Sequence, residues 1–230
     1  METFYANTDI RCGTSISIED QNEISHAYSS LRIRPGEEVC LINGTGSAFI
    51  CSVVECSRKS FVLMPSREKN GDTEYNDINI FVAVSMLNKI SKMKLLTEKL
   101  TELGIRQLIP FVSKRTSFPK MNTKSLHPSM VSALKQCGGV RDVAISELLT
   151  FGDVLSMNGF DRKYFADING ESVPEESGRG NILLVIGPEG GFDGNEIDEM
   201  KERRMIPLKL NKRTLKAETA AIVAASKFLY

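Results

Sequence analysis

The segment NILLVIGPEGGFDGNEIDEM (181–200) constrains the fold of this chain more than any other stretch. A continuous apolar run ends at Ile186 and enters the turn GPEGG (187–191), and Asp193 and Glu196 then form a capping box at the start of a helix. A buried strand that runs through glycines into a helix is typical of α/β sheets, which bind ligands where strands end. The spacing fits neither GxGxxG nor a P-loop, and a plain tight turn is the alternative.

Strand–helix alternation covers the chain from Ile78 onward. An apolar stripe predicts a helix over 89–103 that ends at Gly104. Continuous apolar strands that alternate with helices favour a mostly parallel sheet covered on both faces, here assigned to a domain at 73–230. The strand candidates are INIFVAVSML, QLIPFV, KYFADI, NILLVIG and IPLKLN, and the other helix candidates are 124–137, 193–204 and 216–229.

Residues 1–72 have a different pattern, that of a small β-rich domain. EVCLING, SAFICSVV and SFVLMP read as short strands, and the Asn43-Gly44 step predicts a hairpin between the first two. Six or so short strands in this length predict a small barrel. The polar stretch 67–77, with a turn at Asn70-Gly71, is the predicted linker.

Composition limits the class of protein. Apolar residues make up 41% and charged residues 25% of the 230 residues, which excludes a disordered, collagenous or coiled-coil chain. The five cysteines contain no CxxC pair and predict free thiols in a reducing compartment. The N-terminus lacks the pattern of a signal peptide, and no apolar run approaches the roughly 20 residues of a membrane helix. We therefore expect a cytoplasmic protein.

Charge is unevenly distributed although the chain as a whole is neutral. Residues 1–72 carry 7 basic and 10 acidic side chains, whereas 88–141 carries 11 Lys and Arg against only Glu98 and Glu102. Such a segment favours a surface that binds a polyanion, with a solvated helix face as the alternative.

A second strand–loop–helix occupies 206–230. Its loop 211–216 is basic, and the last helix opens with AETAA, small residues that suit close packing. The N-terminus of this helix could hold an anion. An ordinary C-terminal helix with a basic lead-in is the alternative.

Three motifs carry a resemblance to a known family. LTEKLTELGIRQLIPFVSKRT, LLVIGPEGGFDGNEI and LKLNKRTLKAETAA, in this order, resemble the bacterial 16S rRNA uridine-N3 methyltransferases of the knotted SPOUT superfamily. FYA, His26, Leu31-Arg32, Gly36 and NGTGSAF are similar to the family's PUA-like barrel. The resemblance implies an α/β fold: a PUA-like β-barrel followed by a SPOUT domain with a mostly parallel sheet and a C-terminal trefoil knot.

The resemblance also implies that S-adenosylmethionine is bound by backbone loops of the knot. The implied cofactor-binding residues are Ile186, Gly187, Gly191, Leu210, Asn211 and Leu215. The resemblance also places Arg213 in the cavity wall formed by Leu210, Asn211 and Leu215. With Lys216, Arg213 is a candidate to offset negative charge on the target uracil. Glu218 is the third catalytic candidate, either orienting that cation or taking part in proton removal. The family's LRTETA is LKAETA here, so Lys216 replaces an arginine.

The expected partners are 16S rRNA in the small ribosomal subunit and a second copy of the chain. The residues predicted to bind RNA are Arg32, Lys89, Lys92, Lys99, Lys114, Arg115, Lys120 and Arg141. No metal site is expected, because His26 and His127 are the only histidines and lie far apart in the sequence.

Two alternatives remain open at the level of sequence. One is a non-catalytic RNA-binding or ribosome-assembly factor that kept the fold while the altered LKAETA motif lost activity. The other is a knotted methyltransferase that acts on a different RNA position, such as a tRNA base or a ribose 2′-hydroxyl.

Overall fold

The computed structural model describes residues 1–69, 78–117, 119–172 and 180–229. The chain folds as two units, the first made of residues 1–74 with 131–142 and the second of residues 75–130 with 143–230. The predicted linker 67–77 begins as strand, which extends to Lys69. The Asn70-Gly71 turn and the predicted domain boundary after residue 72 lie outside the described residues.

The first unit is built on a sheet of five described strands in the order β1-β3-β4-β5-β2. Only the β1–β3 pair is parallel. A short helix, α1 (Gln21–Ser25), continues into a π-helical turn. Phe4 and Phe61 are fully buried in the core of this unit. The strands are β1 (Thr3–Tyr5), β2 (Ile16–Ser17), β3 (Glu38–Ile42), β4 (Ala48–Cys56) and β5 (Phe61–Lys69).

The hairpin predicted at Asn43-Gly44 is confirmed, since β3 and β4 pair antiparallel on either side of it. The Asn43 side chain accepts hydrogen bonds from the backbone N–H of Thr45 at 3.2 Å and from its hydroxyl at 2.7 Å. Gly44 has a φ of 76°, and a β-carbon there would overlap the carboxylate of Asp142. Glycine is therefore required at this corner for two independent reasons.

The sheet of the second unit confirms the parallel pattern predicted from the sequence. Its strands run in the order β12-β10-β11-β6-β7-β8, with β9 also beside β7, and every described pair is parallel. Val82, Leu183 and Val185 are fully buried, as expected for strands covered on both faces. The strands are β6 (Ile78–Ser85), β7 (Gln107–Val112), β8 (Ala144–Ile145), β9 (Leu149–Thr150), β10 (Arg162–Glu171), β11 (Gly180–Ile186) and β12 (Ile206–Leu208).

The four helices predicted from the sequence are present. Asp193 and Glu196 form the predicted capping box at the start of α5. The helix α4 and the two-residue strands β8 and β9 are too short to give a periodic signal, and the sequence did not predict them. Within the described residues, no helix is long and apolar enough to cross a membrane. The helices are α2 (Ile90–Glu102), α3 (His127–Cys137, after a 3-10 turn at Thr123–Leu126), α4 (Phe151–Ser156), α5 (Gly194–Glu202) and α6 (Ala217–Leu229).

The C-terminal helix α6 packs within its own chain through small residues. Ala220, Ala221, Ala224 and Ala225 are all buried, and the helix contacts α2, β6 and β11. Alanines allow the backbone of α6 to approach the sheet closely, which brings the N-terminus of this helix to the edge where β11 ends.

Candidate active site

A cavity of about 530 Å³ opens in the second unit where β10, β11 and β12 meet the start of α6. Its walls come from residues 166–168 of β10, from the end of β11 and the turn after it (186–192), and from most of 208–217, with Ala220 of α6. Arg115, from the loop after β7, also lines it. The volume lies within the range of about 300–1,000 Å³ typical of small-molecule sites, and the position follows the rule for open α/β sheets.

The turn after β11 presents bare main chain to this cavity. Gly191 has a φ of 68° and donates its N–H to the carbonyl of Pro188 at 2.9 Å, and nothing lies within 4 Å of where its β-carbon would be. At Gly187 a β-carbon would sit 3.1 Å from the ring of Phe192. Phe192 in turn packs edge-on against the buried Phe165, with ring centroids 6.4 Å apart. The glycines thus leave open space for a ligand beside a firmly anchored ring.

On one side, this turn is held by the start of α2. Glu189 accepts hydrogen bonds from the backbone N–H of Asn88 at 3.2 Å and from Lys92 Nζ at 3.0 Å. Burial raises the pKa of Glu189, but the bonds from Lys92 and Asn88 outweigh it and lower the pKa overall. The hydrogen bond to Glu189 raises the pKa of Lys92. Both side chains are therefore charged at neutral pH and attract each other.

On the other side, the turn is held by the loop after β7. The guanidinium of Arg115 donates to the carbonyl oxygen of Gly190 at 3.1 Å and lies 3.6 Å from the carboxylate of Asp193. Lys114 donates its backbone N–H to Glu196 at 2.8 Å and pairs with Asp193 at 2.9 Å. The hydrogen bond from Lys114 lowers the pKa of Asp193. Two consecutive cations thus join this loop to the cap of α5.

A cluster of hydroxyl groups fixes the base of the same loop. Ser85 at the end of β6 is bonded to Ser113 and to Thr116, each at 2.8 Å, and Thr116 also accepts the N–H of Ser113 at 2.8 Å. Ser85 and Ser113 are buried, and the mutual bonds satisfy their polar groups. This cluster holds Lys114 and Arg115 over the glycine-rich turn.

The opposite wall is the basic loop between β12 and α6. The Asn211 side chain accepts the N–H of Arg213 at 3.3 Å, and the carbonyl of Lys216 accepts the N–H of Ala220. The side chains of Arg213 and Lys216 are exposed and have no partner among the described residues. Two unpaired cations therefore stand at the edge of the cavity.

The structure brings together most of the residues predicted for the active site. All six predicted cofactor-binding residues line this one cavity, as do the catalytic candidates Arg213 and Lys216. Glu218 is not in the lining: its carboxylate lies 3.9 Å from Lys92, on the α2 side of α6. The six are Ile186, Gly187, Gly191, Leu210, Asn211 and Leu215.

The residues predicted to bind RNA fall into two groups. Arg32, Lys89 and Lys120 are exposed, with no side-chain partner among the described residues. The others make contacts within the protein: Lys92 with Glu189, Lys99 with Glu98 and Glu102, Lys114 and Arg115 with Asp193, and Arg141 beside Gly46. Contact with RNA stays a prediction for both groups.

Sequence reasoning missed some of the lining. Asp167 and Ile168 of β10, and Ile197 of α5, face the cavity. Asp167 lies within the predicted strand KYFADI, and a charged side chain in that otherwise mostly apolar run was the available signal. Arg115 was assigned to RNA, and nothing local in the sequence places it in this cavity. Among the described residues, no group of His, Cys, Asp and Glu could hold a metal ion.

Comparison with known proteins identifies the family. A family model described as an RNA methyltransferase domain matches residues 74–229. The chain belongs to the RNA methyltransferase family. A second family model, described as an RNA methyltransferase PUA domain, matches residues 18–63. The family resemblance read from the three motifs is confirmed.

Curated relatives in the family match along nearly the whole chain. Ribosomal RNA small subunit methyltransferase E from Aquifex aeolicus is 24% identical over 234 residues, which cover 98% of this chain and 98% of the relative. The protein of the same name from Rickettsia conorii is 22% identical and covers 97% of this chain and 93% of its own length.

Solved structures confirm the fold class. A Legionella pneumophila methyltransferase in complex with bound S-adenosylmethionine has a TM-score of 0.89 at 22% identity, covering 98% of this chain and 96% of the other. Ribosomal RNA small subunit methyltransferase E from Neisseria gonorrhoeae, bound to S-adenosylmethionine, has a TM-score of 0.86 at 24% identity, covering 99% and 96%. The trefoil knot itself stays a prediction.

Proposed function

We propose that this protein uses S-adenosylmethionine to methylate N3 of a uridine in the ribosomal RNA of the small subunit. The observation that carries the proposal is that one cavity gathers all six residues predicted for the cofactor and two unpaired cations, Arg213 and Lys216. Membership of the RNA methyltransferase family, and relatives named as small-subunit rRNA methyltransferases, support it.

The cavity suits the proposed cofactor. Ile186, Leu210 and Leu215 supply apolar surface for a flat ring system, and the main chain at Gly191 is open to close approach. A pocket of this kind, mostly apolar with a few converging polar groups, is the usual form of a small-molecule site. S-adenosylmethionine supplies an activated methyl group when bound there.

The two unpaired cations fit the chemistry of the target base. When uracil loses its N3 proton, negative charge spreads over the two flanking carbonyl oxygens. A fixed cation near those oxygens stabilises the charge as it develops in the transition state. Arg213 and Lys216 are the side chains that can provide it, because both line the cavity and neither is engaged by an acid in the described part of the chain.

Access to N3 sets a requirement on the RNA. This atom lies in the base-pairing edge of uridine, so the nucleotide must be unpaired or flipped out of its helix. Cationic side chains that contact phosphates can hold the surrounding RNA without reading its sequence. Arg32, Lys89 and Lys120 are the exposed, unengaged candidates for such contacts.

We also propose a cytoplasmic homodimer, on the strength of the family resemblance. The small residues of α6 are buried within the single chain and give the dimer no separate support. Light scattering should give twice the 25.5 kDa mass of one chain, and a monomer at working concentration contradicts the dimer.

Titration and transfer experiments test the proposed activity. The purified protein should bind S-adenosylmethionine in calorimetry and transfer labelled methyl groups to small ribosomal subunits that lack the modification, but not to large subunits. RNA binding without cofactor binding would favour the non-catalytic assembly factor. Methyl transfer to tRNA or to a ribose hydroxyl would favour a knotted methyltransferase with another target.

A further inference from the structure

Lys92 contacts acidic side chains from two different elements of the site. It lies in the first turn of α2, and its Nζ is 3.0 Å from Oε1 of Glu189 in the glycine-rich turn and 3.9 Å from Oε1 of Glu218 in the first turn of α6. The three side chains are mostly buried, with exposed fractions of 25%, 28% and 13%. We call this group, Lys92 with Glu189 and Glu218, the Lys92 bridge.

Glu218 depends on the cation in this bridge. Its second oxygen, Oε2, is buried and has no hydrogen-bond partner among the described residues. Removing a carboxylate from water without a compensating donor is unfavourable. Lys92 is the cation placed to offset this charge within the described part of the chain, since no other lysine or arginine there lies within ion-pair distance of Glu218.

The two acids belong to opposite walls of the cavity. Glu189 lies in the turn whose Gly187, Gly190 and Gly191 form one wall. Glu218 directly follows Ala217, which lines the other wall at the start of α6. A single ammonium group that attracts both carboxylates therefore sets the spacing between the glycine-rich turn and the N-terminus of α6.

We propose that Lys92 is a positioning residue for the cofactor cavity rather than a phosphate contact for RNA. This inference rests on the proposed function, because it takes the ligand of the cavity to be S-adenosylmethionine. Lys92 does not line the cavity, so it acts through Glu189 and Glu218.

The two roles of Lys92 predict opposite results in two binding measurements. If Lys92 positions the cavity, Lys92→Ala raises the Kd for S-adenosylmethionine about tenfold or more, the affinity change of one charge-assisted hydrogen bond. The salt dependence of RNA binding then stays as in the wild type. If Lys92 contacts a phosphate, the cofactor Kd is unchanged and the slope of log K against log salt falls by about one.

Two further variants control the experiment. Lys94→Ala removes an exposed lysine from the same helix and should leave the cofactor Kd at its wild-type value. Glu218→Gln removes the charge from a side chain outside the cavity lining, so a loss of cofactor affinity does not come from a direct contact with the ligand. In a double-mutant cycle, the losses from Lys92→Ala and Glu218→Gln should be clearly less than additive.

The outcomes separate this inference from the proposed function. Wild-type protein that does not bind S-adenosylmethionine overturns the proposed function. Wild-type protein that binds it, together with Lys92→Ala and Glu218→Gln variants of unchanged cofactor affinity, overturns the positioning role alone. If Lys92→Ala does not fold, the Kd for S-adenosylmethionine is measured for Glu218→Gln and for the charge-conserving Lys92→Arg instead. Cofactor binding that is unchanged or tighter in both variants contradicts the inference.

Discussion

Arg115 donates a hydrogen bond from its guanidinium Nη1 to the main-chain carbonyl oxygen of Gly190 at 3.1 Å. The two residues are 75 positions apart in the sequence. The bond holds the wall of the cavity that the cofactor is proposed to contact, so a side chain expected to meet RNA is part of the site itself. A guanidinium can make this contact and approach Asp193 at once, because its donors point in fixed directions.

We therefore expect Arg115→Ala to weaken cofactor binding. Losing the bond to Gly190 should raise the Kd for S-adenosylmethionine about tenfold, and Arg115→Lys should recover only part of this loss. Lys114→Ala is the matched control, because the Lys114 side chain pairs with Asp193 and does not touch the turn. Calorimetric titration measures all three, and equal effects of the two alanine variants would argue against a role for Arg115 in the cavity wall.

The charge on Asp193 should make stability depend on pH. The hydrogen bond from Lys114 lowers the pKa of Asp193 below the ordinary value of 3.8. A carboxylate with a depressed pKa contributes stability above the ordinary value and loses that contribution as the pH falls through its lower folded value. Asparagine is also a good N-cap, so Asp193→Asn isolates the charge.

Urea unfolding at two pH values measures this contribution. Asp193→Asn should be less stable than the wild type at about pH 7, and the difference should be smaller at a pH below 3.8, where the carboxyl group takes up a proton. A difference of the same size at both pH values would show that the charge on Asp193 does not stabilise the fold.

The pairing of β10 with β12 should not tolerate a side chain at Gly170. A β-carbon there would lie 2.6 Å from the carbonyl carbon of Pro207, which is main chain and cannot move aside. Gly170→Ala should cost about 1–3 kcal/mol in the free energy of unfolding and weaken cofactor binding, because both strands line the cavity. Gly152→Ala in α4 is the control, since its β-carbon would lie 3.9 Å from the hydroxyl of Thr150, an ordinary contact.

The two unpaired cations can be separated by single-turnover kinetics. If Lys216 stabilises the charge on uracil, Lys216→Ala should lower the methyl-transfer rate by about 10²–10³ with little change in binding. Lys216→Arg should keep or raise the rate, because a planar fork can hold two acceptors. If Lys216→Ala transfers methyl groups at the normal rate and Arg213→Ala is much slower, Arg213 is the stabilising cation. If both variants lose little and equally, neither side chain has this role.

The framework of the fold was predictable because its signals are local. The apolar runs of β6 and β11 mark buried strands, and the capping box of Asp193 and Glu196 marks the start of a helix within four residues. The glycine-rich turn was a ligand candidate because ligand sites follow strand ends in such sheets. The other lining residues predicted for the cofactor, Leu210, Asn211 and Leu215, came from the family resemblance.

The partners of the charged residues could not be predicted from composition. The excess of lysine and arginine in 88–141 suggested one continuous RNA surface, yet Lys92, Lys114 and Arg115 pair with Glu189 and Asp193. Those acids lie about 80–100 positions further along the chain, and only the order of the strands brings them close. For the same reason, the sequence did not show that the catalytic candidate Glu218 lies 3.9 Å from Lys92 and outside the cavity lining.

Mapping of modified nucleosides in ribosomal RNA tests the proposed function most directly. Small-subunit rRNA from cells with and without this gene would be digested and analysed by mass spectrometry, with the purified protein and S-adenosylmethionine added back to subunits from the deletion strain. We predict that one N3-methyluridine is lost with the gene and restored by the wild-type protein. An unchanged content of N3-methyluridine in the deletion strain would contradict it.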